Sequence, residues 1–246
     1  MKWLFRALAI CGAMLMSTAQ AHVSSPVSVE IIGADGRVFR EIPVDTRDGA
    51  LRSYLLAEKD ARYEVRVHNS TGERLGLVIA VDGRNIINGR KSDLAGTEPM
   101  YVLDAWSTQG YAGWRANLEA INEFYFTDWS DAYAEAFGDR SASGVIALAI
   151  FREEPRAVAP APPPATSDRA LDKSASRSES AGTGHGERRA DHAVRVEFTA
   201  SQQAARHFIK YEWRDTLCRK QVMDCGEKNR FWDEATLGFA PPPPRR

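Results

Sequence analysis

The chain has little of what most often betrays a chemistry. Cysteine occurs three times in 246 residues, at Cys11, Cys218 and Cys225. No two of them are spaced as CxxC, so neither a dithiol redox motif nor a zinc ribbon is encoded. There is no GxSxG, which excludes the nucleophile elbow of the α/β-hydrolases. GTGHGE (182–187) is glycine-rich but lacks the Lys-Ser or Lys-Thr ending of a phosphate-cradling loop. Charge of one sign is not in excess, with 32 basic residues against 33 acidic, so the basic footprint of a nucleic-acid binder is missing. After the first segment no apolar run reaches the 18 or so residues that a membrane-spanning helix needs.

That first segment is read as an export signal. Lys2 and Arg6 supply the positive start, residues 7–16 are apolar apart from Gly12, and Ala19 and Ala21 are the small residues that signal peptidase needs. Cleavage is expected before His22. As an uncleaved anchor the apolar stretch is too short, and Ile10 before Cys11 is the wrong neighbour for lipidation. Removal of residues 1–21 takes away Lys2 and Arg6 and no acid, which leaves 30 basic against 33 acidic residues and a formal charge of −3. It also takes away Cys11. Cys218 and Cys225 then form an even pair in a compartment where thiols oxidise, and a structural disulfide closing a short loop is expected, ahead of two free thiols or a metal site. The setting is periplasmic or secreted.

The mature chain divides by composition. Residues 22–154 show strand periods: Tyr63, Val65 and Val67 alternate with Glu64, Arg66 and His68. Residues 27–32 and 38–44 read as a pair joined through Asp35-Gly36, and 75–81 runs into the hairpin-type turn Asp82-Gly83. GVIALAIF (144–151) reads as a central strand, and 130–137 as the one short helix, stopped by Gly138. Residues 155–192 hold five prolines and only Val158 and Leu171 as bulky apolar residues, the composition of a disordered linker. In residues 193–240, strands are expected at 194–199 and 207–212 and a helix at 213–223, all docking back on the first part. Residues 241–246 are a polyproline tail. The expected fold is mainly β, an antiparallel β-sandwich with one short helix and a long excursion.

The order VDGRNIINGRKS (81–92), YVLD (101–104), YAGWR (111–115), FYFTD (124–128), DAYAEAFGD (131–139), GVIALAIF (144–151) and GTGHGE (182–187) resembles a group of exported proteobacterial β-rich proteins. The resemblance covers about half of the mature chain. It implies a β-rich fold and export, and it transfers no catalytic residue. The chain departs from the group's pattern around Cys218 and Cys225.

Three sets of residues are candidates for function. Trp106, Tyr111, Trp114, Tyr125 and Trp129 crowd into 24 residues with Asp104, Arg115, Glu123 and Asp128 among them. Ring faces beside acids suit a sugar-binding cleft, and the competing reading is that the rings fill the sandwich core and its rim. No spacing singles out a pair of acids for glycoside hydrolysis. His185, between glycines, could serve as a ligand or base, or be a hydrogen-bonded structural histidine. His22, once first in the chain, offers an amine and an imidazole to Cu(II), with His68, His185, His192 and His207 as the further histidines that could complete such a site. No catalytic residue and no cofactor are expected. The expected role is non-catalytic binding of a protein or surface component of the envelope, with a glycan bound through the 106–129 region as the alternative.

Intact mass spectrometry of the exported protein should return the mass of residues 22–246. A species that keeps residues 1–21 would contradict the cleavage.

Overall fold

In the computed structural model, residues 25–44, 48–155 and 181–225 are described. The expected cleavage site with His22 and the polyproline tail lie outside them. The strands in chain order are β1 (Val27–Gly33), β2 (Glu41–Val44), β3 (Leu51–Leu56), β4 (Arg62–Asn69), β5 (Leu75–Val81), β6 (Arg84–Asn85) and β7 (Tyr101–Leu103). There follow β8 (Thr108–Tyr111), β9 (Gly113–Arg115), β10 (Ala120–Asp128), β11 (Val145–Glu153), β12 (Ala181–Thr183), β13 (Arg188–Ala190) and β14 (Ala200–Glu212), and then one helix, α1 (Arg214–Arg219). They form two facing sheets. The first runs β1-β4-β10-β12, with β8 on β4 and with β9 and β13 on β10. The second runs β2-β3-β14-β11-β5-β6, with β7 on β5. The architecture is a β-sandwich.

Alternation decides which side of each strand enters the core. Tyr63, Val65 and Val67 of β4 point inward with Phe124 and Phe126 of β10, and they meet Leu77, Ile79, Ile146, Leu148, Ile209 and Tyr211 of the second sheet. Tyr63 stacks on Phe126 at 4.3 Å, and Phe126 in turn meets Tyr211 at 5.1 Å. β5 and β11 are buried along nearly their whole length. Their second face is covered as well, since Leu94, Met100 and Ala200 pack on Val78, Ala149 and Phe151. β11 is central, antiparallel to both β5 and β14. β14 is parallel to β3, with His207 opposite Leu51, so the second sheet is mixed.

The structure departs from the expected pattern at several places. Residues 27–32 and 38–44 are not a two-stranded ladder: only Ile32 and Val38 bridge. Phe39 is drawn into the core against Phe126, with ring centroids 5.4 Å apart, and the chain then crosses to pair β2 with β3 in the opposite sheet. The expected helix at 130–137 is two 3-10 turns, Trp129–Asp131 and Tyr133–Phe137, separated by Ala132 in an extended conformation (φ −72°, ψ 142°). Burial of Trp129 with Ala132 and Ala134 as a small cluster of their own sets that break. Gly138 does end the element, at φ 68°.

The expected linker over 155–192 contains strands in its last twelve residues: β12 and β13 both pair with β10. The glycines of GTGHGE allow this, because a Cβ on Gly184 would lie 2.1 Å from Cζ of Tyr125 and one on Gly182 would lie 2.4 Å from Cβ of Ala132. Backbone hydrogen bonds from Gly184 to Tyr125 (2.9 Å) and from Gly186 to Glu123 (2.9 Å) continue the ladder. Residues 194–199 form no strand, and Val194 is 82% exposed. The strand expected over 207–212 instead begins at Ala200 and is thirteen residues long, because it must span the length of β11.

α1 is shorter than the expected 213–223, and Gln221 takes a positive φ of 56° just past it. Leu217 is buried, Trp213 packs against the main core, and Cys218 is bonded to Cys225 with their Cα atoms 5.6 Å apart. Closing so short a loop is worth about 2.5 kcal/mol by chain entropy. Reduction should therefore raise hydrogen exchange in 213–225 and leave β4, β5 and β11 protected. Loss of protection throughout the sandwich would show that the bridge holds more than this segment.

Candidate functional site

Among the described residues one carboxylate, that of Asp82, lies wholly inside the sandwich. The two-residue turn between β5 and β6 needs positive φ at both positions, and Asp82 (50°) and Gly83 (78°) supply it. The turn brings the Asp82 side chain among β11, β12 and β14, and it sets Arg84 opposite Val81. Oδ1 of Asp82 accepts from the Tyr211 hydroxyl at 2.6 Å and from the Gly144 amide at 2.6 Å, and Oδ2 accepts from the Thr183 amide at 2.8 Å. The Thr183 hydroxyl lies 2.7 Å from that of Tyr211 and 2.8 Å from that of Tyr63. Burial pushes Asp82 up to about 6, and the bonds from Tyr211, Thr183 and Gly144 together with the charge of Lys210 keep it from rising further. The side chains of the network are buried, and they tie the two sheets together.

The rings of the 106–129 region scatter. Tyr111, Trp114 and Trp129 are buried, and Trp106 is 68% exposed. Tyr111 lies tilted against Tyr101, with ring centroids 4.5 Å apart, and its hydroxyl finds no partner among the described residues. The Trp129 indole donates to Glu135, which Arg140 also holds at 2.6 Å. Trp106 stands on a loop at φ 57°, its amide bonded to the Thr71 carbonyl at 3.1 Å. Arg115 donates to the Tyr101 hydroxyl and to both the backbone and the side chain of Asp191, so it pins the chain after β13 to the first sheet. Asp128 pairs with Lys59 at 2.6 Å, and Glu123 with Arg62 (2.9 Å) and Arg189 (3.0 Å). Those last two arginines, Glu64 and Arg66 line a shallow groove on the first sheet. There Arg66 is matched by Glu64 at 2.6 Å, so the guanidinium charges in the groove are neutralised in place.

Trp114 and His185 do come together, through Tyr133. The Trp114 indole donates to the Gly184 carbonyl at 3.1 Å. Tyr133 lies against Trp114 at 4.5 Å, is stacked by His185 at 5.2 Å and 22°, and meets Phe137 edge-on at 5.2 Å and 69°. The stack leads from the buried Trp114 outward to His185 and Phe137, and Phe137 is 48% exposed. Arg84 completes the corner. Its guanidinium lies 3.7 Å from the Phe137 ring centroid and donates to the Gly89 carbonyl at 3.0 Å. Gly89 itself sits close under the Tyr133 hydroxyl, since a Cβ there would lie 2.6 Å from it.

Arg84 makes no ion pair with any described residue, its Nε is buried without a hydrogen-bond partner, and burial lowers its pKa. Tyr133 is raised by burial and pulled back by the Arg84 charge. Burial also lowers His185, which keeps it neutral at pH 7. Arg84, Tyr133 and Phe137 were not singled out from the sequence, because the Asp-Gly turn and a helical spacing accounted for them. The available signal was Arg84 itself, a charge placed directly after a tight turn, opposite the buried Val81.

The other histidines are dispersed. His68 bonds to Thr108 at 2.9 Å and His207 to Ser25 at 2.8 Å, while His192 is exposed. Among the described residues, no three His, Cys, Asp or Glu side chains gather as a metal site.

Asp82 gives a test with a defined sign. The folded carboxyl keeps its proton up to about pH 6 and the unfolded one releases it near 3.8, so folding takes up a proton between these values. The stability that Asp82 contributes falls as pH rises through this window, by roughly 3 kcal/mol, and is level above it. His207, lowered by burial to about 4 from 6.5, acts in the opposite sense, losing stability as pH falls from 6.5 towards 4. Urea denaturation of the wild type and of Asp82→Asn across pH 4–7 separates the two, since the difference between the proteins should change only through the Asp82 titration. A difference independent of pH would contradict the raised carboxyl.

Comparison with known proteins gives no match: no protein-family model, no curated protein and no solved structure is significantly similar to this chain.

Proposed function

We propose that the protein is an exported, non-catalytic β-sandwich module that recognises a component of the cell envelope, with the corner of Arg84, Tyr133, Phe137 and His185 as its recognition surface. The observation that carries this reading is the guanidinium of Arg84, half-buried on an aromatic ring and in no ion pair with a described residue, the nearby Asp139 being held by Lys91 at 3.1 Å. Desolvating a cation is costly unless an opposite charge or a ligand offsets the loss. The described acids of the 106–129 region are placed otherwise: Glu123 and Asp128 are held in ion pairs, and Asp104 stands exposed 4.0 Å from Arg74. Export is supported by the pattern of residues 1–21 and by the Cys218–Cys225 disulfide, a bond that persists in oxidising compartments. Exposed Trp106 offers a second apolar contact on a separate loop.

Mature protein incubated with washed envelope fractions should sediment with them, and Arg84→Gln should sediment less. Wild-type protein that stays in the supernatant with every fraction would overturn this reading.

A further inference from the structure

The chemistry of the corner narrows what it can hold. Arg84 offers guanidinium N–H donors beyond the one spent on Gly89, and no carboxylate of the described chain takes them. The Tyr133 hydroxyl, next to Gly89, has no hydrogen-bond partner among the described residues, so a second donor faces the same place. A planar guanidinium and a nearby hydroxyl are the donors that a carboxylate accepts from. Beside them stand two outward ring surfaces set at different angles, Phe137 edge-on to Tyr133 and His185 stacked on it. Rings of this kind pack on the C–H face of a sugar, whose remaining hydroxyls stay in water. The groove on the first sheet lacks this combination, because its arginines already face acids.

We propose that the corner of Arg84, Tyr133, Phe137 and His185 binds an acidic saccharide, with the carboxylate of a uronic-acid-type residue on Arg84 and the Tyr133 hydroxyl and the sugar ring against Phe137 and His185. This rests on the reading of the corner as a recognition surface and names its ligand class. The buried end of the stack keeps the site in shape. Trp114 is fixed by its bond to Gly184, and Tyr133 lies between it and His185. The corner therefore exists before any ligand arrives, and little ordering entropy opposes binding.

The probes are tri-galacturonic acid, its fully methyl-esterified form, neutral galactotriose and benzoate, titrated into the mature protein and followed by two-dimensional NMR of the backbone amides, the arginine Nε–H groups and the tryptophan indoles. Tri-galacturonic acid should shift the Arg84, Phe137 and His185 signals and the Trp114 indole. It should bind about tenfold more tightly than the ester or the neutral sugar, as one charge-assisted pair implies, and lose affinity in high salt. Arg84→Gln should remove that tenfold preference. Phe137→Ala, at an exposed position, should weaken all the sugars while the signals of β4 and β11 stay in place, and it decides the matter if Arg84→Gln does not fold. Equal affinity for acid and ester, benzoate binding as tightly as the trisaccharide, or affinity unchanged in Phe137→Ala would each overturn the assignment. Envelope sedimentation that persists without uronate binding would sink this ligand class and leave the broader function standing. Uronate binding without sedimentation would do the reverse.

Discussion

The two sheets meet around a buried carboxylate, that of Asp82. Asp82 receives three donors, and each comes from a different part of the chain: the amide ahead of β11, the amide of β12 and the hydroxyl of β14. Through the Thr183 hydroxyl the network continues to Tyr63 in β4, so both sheets contribute to it. A buried charge of this kind is a weak source of net stability, and breaking it is costly because the orphaned donors remain. Its effect is on register. A one-residue slip of β12 or β14 would displace the Thr183 amide or the Tyr211 hydroxyl and leave Asp82 short of one of its three donors, so competing alignments of the late strands are penalised.

The same constraint explains why GTGHGE is where it is. Thr183 must reach Asp82 while its strand lies against the bulky side of β10, and only residues without a Cβ fit on either side of it. Gly182 clears Ala132, and Gly184 clears Tyr125 and lends its carbonyl to Trp114. Trp114 then supports Tyr133, and Tyr133 supports His185 and Phe137. A single run of glycines thus connects the buried network to the outward aromatic corner.

The parts legible in the sequence were those fixed by near neighbours. The alternation of β4, the continuous apolar run of β11, the stop at Gly138 and the pairing of Cys218 with Cys225 are all local signals, and each stands in the structure. The parts that were not legible depend on partners far away in the chain. Asp82 and Tyr211 are 129 residues apart, and an Asp-Gly turn already accounts for Asp82 without them. Residues 181–192 pair with β10 through their backbone and carry almost no large apolar side chain, and composition alone makes such a segment look like linker. The five rings of the 106–129 region are chemically alike in sequence, and only the fold decides that Trp114 is walled in while Trp106 faces water. Of the residues singled out for binding, Trp114 and His185 meet at one place, and their connection runs through Tyr133.

The parallel pairing of β14 with β3 joins residues roughly 150 positions apart, His207 to Leu51 among them, and this bears on how the molecule is made. The second sheet has an open seam between β3 and β11 until β14 is inserted, and β14 is the last strand of the described chain. Loop closure over such distances precedes the contacts that reward it, so a topology of high contact order folds slowly and late. A nascent chain that ends before residue 200 presents two unsatisfied strand edges and lacks Tyr211, the hydroxyl donor of the central network. Acquisition of the native state is therefore a whole-chain event, complete only once the C-terminal strand has been delivered, and until then the half-built sheet is a target for chaperones and proteases.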